Sequence, residues 1–220
     1  MSDWEAFVAE VTWFPRQGSS AVVGPPRPWT RGGVDGLPVL SALLNAATLT
    51  TVGVDGSRFE LLAWGPQEAR RGWLCHPPVV TEEARVHDDQ RRLWSAFGGI
   101  VEQFGEPVCW WNNQDEVLTE TAAAFDLGGV FADYAWLWGD DGLSIPISPH
   151  DYYPIAVEAN GNLTLAHRRT GAVLIFAPDH DYDGITPVAG CPPYSLMTID
   201  DISDLSSWIE ANAAAWSGPR

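Results

Sequence analysis

Residues 152–176 read YYPIAVEANGNLTLAHRRTGAVLIF, and their pattern decides the fold. Residues 155–158 and 163–167 are short runs of β-forming types separated by Asn160-Gly161, a pair suited to the positive φ angles of a tight primed hairpin turn. Arg169-Thr170-Gly171 supplies a second turn ahead of the apolar run 172–176. These connections are too short for a helical crossover, so three successive strands form an antiparallel meander. Val173, Leu174, Ile175 and Phe176 are consecutive rather than alternating, which predicts a strand covered on both faces, as a central strand backed by a helix is.

Downstream of the meander lie an acidic turn, a last short strand at 194–199 and a helix from about Asp201, with Ile202, Leu205, Trp208, Ile209, Ala213 and Trp216 on one stripe. Upstream, an acidic, turn-rich loop spans 139–148, and two helical segments are predicted at 116–125 and 130–138. In the second of these Phe131, Tyr134, Ala135 and Trp138 share a face. A strand is predicted at 108–111. Thr81 caps a further helix, with Glu82 and Glu83 in its first turn and Val86, Leu93, Trp94 and Phe97 on its apolar face; Gly98-Gly99 ends it.

At the start of the chain, Ser2 and Glu5 form a capping box for a helix that carries Trp4, Phe7, Val8 and Val11 on one face and runs to about Trp13. Ten of the 24 residues from Pro15 to Pro38 are Gly or Pro, which predicts a loop. A short helix follows within 37–47. Strands at 48–54 and 58–64 flank Asp55-Gly56-Ser57, another hairpin signal, and residues 65–80 read as irregular.

The chain has a formal net charge of −17, and its twelve cations are all arginine. Nine of them precede residue 93, against eleven acids; the remainder holds three arginines and eighteen acids. So large a carboxylate surplus repels phosphate backbones and anionic membranes and attracts a basic protein or a cation. No run approaches the roughly 20 apolar residues of a membrane span, and no apolar leader opens the chain, so a cytoplasmic protein is expected. Cys75, Cys109 and Cys191 are far apart and odd in number, which points to free thiols.

The residues with chemical potential are few. Asp179, Asp181 and Asp183 with Gly184 match the opening of a calcium loop, but the closing bidentate position is Gly190. Ser148, His150 and Asp151 are triad types packed into four adjacent positions, too close to aim at one another in a relay. His87, His167 and His180 are isolated in the sequence. No metal, cofactor or catalytic residue is therefore expected.

The order of elements resembles the SUKH superfamily of bacterial toxin-immunity and cell-wall-synthesis-regulator-like proteins. The resemblance rests on a helix followed by Phe97-Gly98-Gly99-Ile100 with Glu102, then Tyr153-Pro154-Ile155-Ala156, Asn160-Gly161-Asn162, Thr170-Gly171-Ala172-Val173, an acidic stretch and a terminal amphipathic helix, covering residues 81–216. It implies an α+β fold with a central twisted, mainly antiparallel sheet flanked by helices, and length and apolar content predict a single globular body. Residues 1–80 have no counterpart and form an extension of undefined organisation. It further implies a non-enzymatic protein that neutralises a polymorphic toxin, often a nuclease or deaminase. Charge and loop position nominate Asp140, Asp141, Asp151, Tyr152, Asp179, Asp181, Tyr182 and Asp183 as its partner-binding residues. Two other readings stand beside this one: a metal-dependent hydrolase using His150, Asp151 and the Asp179, Asp181 and Asp183 cluster, and a cytoplasmic regulatory scaffold.

Overall fold

The computed structural model describes residues 1–80, 85–107, 114–178 and 183–218. The fold is α+β, and the strand pairs within each of its two compact units are antiparallel. One unit comprises residues 1–80, 92–112 and 209–220, the other residues 81–91 and 113–208. The stretch 81–216 is thus shared between them, and residues 1–80 hold regular structure of their own.

In the first unit the capping box starts helix α1 (Asp3–Glu10): the Glu5 N–H donates to the Ser2 hydroxyl at 3.2 Å and the Ser2 N–H to the Glu5 carboxylate at 2.7 Å. The helix ends at Glu10, short of Trp13, whose indole N–H reaches Glu102 at 2.8 Å instead. The Gly- and Pro-rich stretch contains two short strands, β1 (Ala21–Val23) and β2 (Arg27–Pro28), both paired with β3 (Thr48–Val54). Strands of three and two residues carry no periodicity to read. Helix α2 (Pro38–Asn45) lies where expected. Leu37 offers its N-terminus no side-chain cap, and Glu210 accepts the N–H groups of Val39 at 2.9 Å and Leu40 at 3.0 Å in its place.

Asp55 and Gly56, both at positive φ (51° and 85°), turn β3 into β4 (Ser57–Trp64), as the sequence predicts. The order continues through β5 (Arg71–Cys75) to β6 (Ile100–Phe104). β5 occupies a stretch that reads as irregular because Gly72 interrupts it. A Cβ there would stand 2.0 Å from the Leu62 carbonyl oxygen, so glycine is what allows β4 to come this close.

Phe59, Leu61 and Ala63 alternate onto the face covered by Phe7 of α1 and by Val11, which caps the end of that helix. On β4's other face Trp64 meets Trp73 edge to face at 4.8 Å, and both contact Trp216. Helix α3 (Asp88–Ala96) begins later than expected, so Val86 precedes it. Thr81, Glu82 and Glu83 lie outside the described residues, as do the strand expected at 108–111 and Cys109.

In the second unit β7 (Gln114–Val117) takes up the first two residues of the helix expected at 116–125. Leu118 takes φ 56° and turns the chain, and the Thr119 hydroxyl caps a single helical turn, α4 (Glu120–Ala123), by accepting the Ala122 N–H at 3.0 Å. Alanine content signals helix propensity but not this break. The helix expected at 130–138 is likewise two, α5 (Leu127–Asp133) and α6 (Trp136–Gly139). Phe131, Tyr134 and Trp138 still share one face and meet the Phe176 ring at 5.4, 5.4 and 6.4 Å.

The meander is β8 (Tyr152–Glu158), β9 (Leu163–His167) and β10 (Val173–Phe176), and β10 is buried throughout. Its first turn differs in detail from the primed form. Gly161 takes φ 90°, but Asn160 stays outside the positive-φ region and its carboxamide oxygen accepts the Asn162 N–H at 3.1 Å. An unpredicted strand, β11 (Ile185–Pro187), pairs with β12 (Leu196–Ile199), completing the order β7-β8-β9-β10-β12-β11. Helix α7 (Leu205–Ser217) closes the chain with Leu205, Trp208, Ile209, Ala213 and Trp216 buried, while Ile202 lies ahead of it. Among the described residues no helix is long and apolar enough to cross a membrane.

Two outcomes follow. Trp208 is 1% exposed, so Trp208→Ala is expected to cost about 3–5 kcal/mol, read as a lower denaturant midpoint. Burial, and then repulsion from Glu10 and Glu102, pushes the Glu106 carboxyl up to about 7. The folded chain holds a proton there that the unfolded chain has released, so stability falls as pH rises from the ordinary carboxylate range to about 7. Glu106→Gln is expected to remove that fall, seen in unfolding midpoints measured at both ends of the window.

Candidate functional site

The nominated acids that are described do not converge on one point. Asp140 and Asp141 are exposed just after α6. Trp138, two residues earlier, donates its indole N–H to the Cys191 sulfur at 3.5 Å, and Cys191 follows the end of β11 where Pro187 pairs with Met197. Asp151 and Asp183 belong to the opposite end of the sheet, where Tyr152 pairs with His167 and Ile185 with Ile199. Asp179, Asp181 and Tyr182 lie outside the described residues. Tyr152 is half-buried with its ring edge-on to His167 at 5.0 Å, and burial and the Asp151 charge push its phenol pKa up.

The Asp140 region has a geometry of its own. The Leu143 N–H donates to the Trp138 carbonyl at 2.8 Å and the Gly142 N–H to that of Gly139 at 3.0 Å, folding 136–143 into one capped turn. Trp138 points inward at 1% exposure, while Trp136 and Leu143 are 57% and 42% exposed, flanking the two aspartates. An exposed indole beside carboxylates is a combination suited to protein recognition.

His150 and Asp151 occupy a 3₁₀ turn (Pro149–Asp151), both exposed. Among the described residues no side-chain hydrogen bond joins Ser148, His150 and Asp151, and no group of three His, Cys, Asp or Glu side chains is placed to hold a metal.

A different cluster emerges where sequence reading saw only a turn and a strand. Tyr153, fully buried on β8, accepts the His87 N–H on its hydroxyl at 3.1 Å, and its ring lies under the Arg168 guanidinium at 5.1 Å. Arg168 also donates Nε to the His150 carbonyl at 3.0 Å and Nη1 to the Arg85 carbonyl. Arg91 donates to the Val86 carbonyl at 2.6 Å and pairs with Asp88. Gly171, at φ 72°, has the His87 ring where a side chain would begin, 3.1 Å from an ideal Cβ. Residues 85–91 are thereby tied to the β9–β10 turn, and Arg85, Arg91, Arg168 and Arg169 line a single cavity of about 430 Å³.

The chain matches no protein-family model, no curated protein and no solved structure. The missed signal in the sequence was composition: Arg168-Arg169 is an adjacent arginine pair in a half of the chain that holds only one other arginine.

The buried Tyr153 hydroxyl generates a test. Burial raises its pKa well above the usual tyrosine value, so the fold loses stability as pH rises past about 10, where the unfolded phenol ionises. Tyr153→Phe is expected to lower stability by about 1 kcal/mol near neutral pH, by orphaning the His87 N–H, and to shallow the alkaline loss. Unfolding curves at both pH values check this.

Proposed function

We propose that this chain is a non-enzymatic binding protein that captures a cationic protein partner, acting as an immunity protein that neutralises a basic, nuclease-like toxin. The observation that carries the reading is the capped turn at 136–143, on which exposed Trp136 and Leu143 flank Asp140 and Asp141. Interfaces draw most of their energy from a few aromatic anchors, and surrounding charge sets encounter rate and partner choice. A basic toxin meets both requirements here: an indole to seat in a pocket, and carboxylates to pair with its cations.

The wider charge distribution supports the same reading. Eighteen acids against three arginines after residue 92 give that part of the chain a field that accelerates encounter with a cationic partner and disfavours nucleic acid. An inhibitor of this kind occupies the surface on which a nuclease holds its substrate. The order of motifs from Phe97 to Trp216 resembles the SUKH superfamily, whose immunity members act in this way.

The experiment is co-expression with a basic toxin encoded beside its gene, scored as growth rescue, with the complex isolated at low salt. Trp136→Ala is expected to weaken binding by about 2 kcal/mol or more, chiefly through faster dissociation. Asp140→Asn with Asp141→Asn is expected to slow association and reduce its salt dependence. Rescue undiminished by all three substitutions would show that this turn is not the contact.

A further inference from the structure

We propose that the arginine-lined cavity of the second unit binds the phosphate end of a phosphorylated small molecule, with the adjoining hollow taking its organic part. This is independent of the protein-binding turn at 136–143.

The first ground is where the cations are. A chain of net charge −17 has twelve arginines and no lysine, yet Arg85, Arg91, Arg168 and Arg169 line one cavity of about 430 Å³. Two of them are drawn from the three arginines that follow residue 92. Gathering like charges costs Coulomb energy that a bound anion returns. One carboxylate, Asp88, shares the lining, and it is already paired with Arg91.

The second ground is that the cluster is built, not merely crowded. Arg168 is held by two carbonyls and by the Tyr153 ring, and burial works against its charged form, with the neighbouring Arg85 charge adding to that pressure. Arg91 is fixed by the Val86 carbonyl and Asp88. The side chains of Arg85 and Arg169 have no acceptor among the described residues and are exposed at the rim. Two held guanidinium groups beside two exposed ones match a multiply charged oxyanion, which takes paired N–H donors from several directions. The first turn of α3, a nine-residue helix, contributes Asp88 and Arg91 to the same lining, so its positive end adds to the field.

The third ground is shape. A second hollow of about 200 Å³ shares Arg85 and Arg168 with the first and is otherwise lined by Phe125, Leu127, Pro149, His150 and Tyr152 among others. Phe125 is 45% exposed, which leaves part of its ring open to a ligand. Phosphate in the arginine cavity and a flat ring beside Phe125 and Tyr152 describe one ligand spanning both.

Calorimetric titration of the full chain with pyrophosphate, adenosine diphosphate and adenosine tests this. Pyrophosphate and adenosine diphosphate are expected to bind one per chain, the nucleotide more tightly, and adenosine to show no comparable affinity. Arg169→Gln, at an exposed side chain that leaves the fold intact, is expected to weaken both by about tenfold, the loss of one charge-assisted contact. Arg58→Gln, an exposed arginine of the first unit, is expected to leave both unchanged. Absence of binding, or equal losses in the two variants, would overturn the assignment. A single-stranded oligonucleotide binding more tightly than adenosine diphosphate would overturn it too, giving the cavity to nucleic acid.

Discussion

The second unit depends on one buried phenol. Tyr153 sits on β8 with no solvent exposure, and its hydroxyl receives the His87 N–H while its ring carries the Arg168 guanidinium. A tyrosine buried without a partner for its hydroxyl is costly, so the position demands a donor, and the chain supplies one from 66 residues away. Together with the Arg168 bond to the Arg85 carbonyl, that bond ties the segment before α3 to the β9–β10 turn. Gly171 completes the fit, since any larger residue would displace the His87 ring, and its carbonyl accepts the Leu205 N–H at 2.8 Å, tying α7 to the same turn.

Buried charge in the first unit follows the same logic of obligatory partners. Glu60 is 1% exposed on β4 and is met by both guanidinium nitrogens of Arg31 at 2.6 Å, with Arg31 also bonded to the Ala96 carbonyl and resting over Trp29. Such a pair adds little net stability but strongly penalises arrangements that separate its members. Cys75 lies near it on β5, and burial followed by the Glu60 charge pushes its thiol pKa well up, which keeps it an inert core group. Glu210 works in kind at α2, substituting a carboxylate from another helix for the cap that Leu37 cannot provide.

Charge of both signs is organised in the second unit, and the two arrangements suit different ligands. Asp140 and Asp141 stand with Trp136 on a capped turn near the β11 end where Pro187 pairs with Met197, while the arginines collect where β8 begins and β9 ends. Exposed carboxylates around an indole favour a large cationic surface. Guanidinium groups around a cavity favour a small anion. The bulk charge of the chain reports only the first, because four arginines vanish into a total of −17.

The sequence by itself determined the hairpins. Asp55-Gly56 and Gly161 announce their turns through backbone conformations that local chemistry dictates, and the strands beside them follow from short-range pattern. It also determined the helix starting at Ser2, whose capping box closes within four residues, and the double-sided burial of β10, written as four consecutive apolar residues. Where a break depended on one backbone angle, as at Leu118, residue type gave no warning, and the end of a strand, Glu116 and Val117, was read as the start of a helix. β5 was hidden because Gly72 weakens a strand locally yet is required by the close approach of β4. Only the tertiary structure decided the arginine cavity: Arg85 and Arg91 lie some 80 residues from Arg168 and Arg169, and what joins them is a hydrogen bond and a stacked ring on Tyr153. Contacts that distant leave no periodic trace along the chain, since each partner satisfies its local pattern on its own and acquires its role when the backbone brings it to the other.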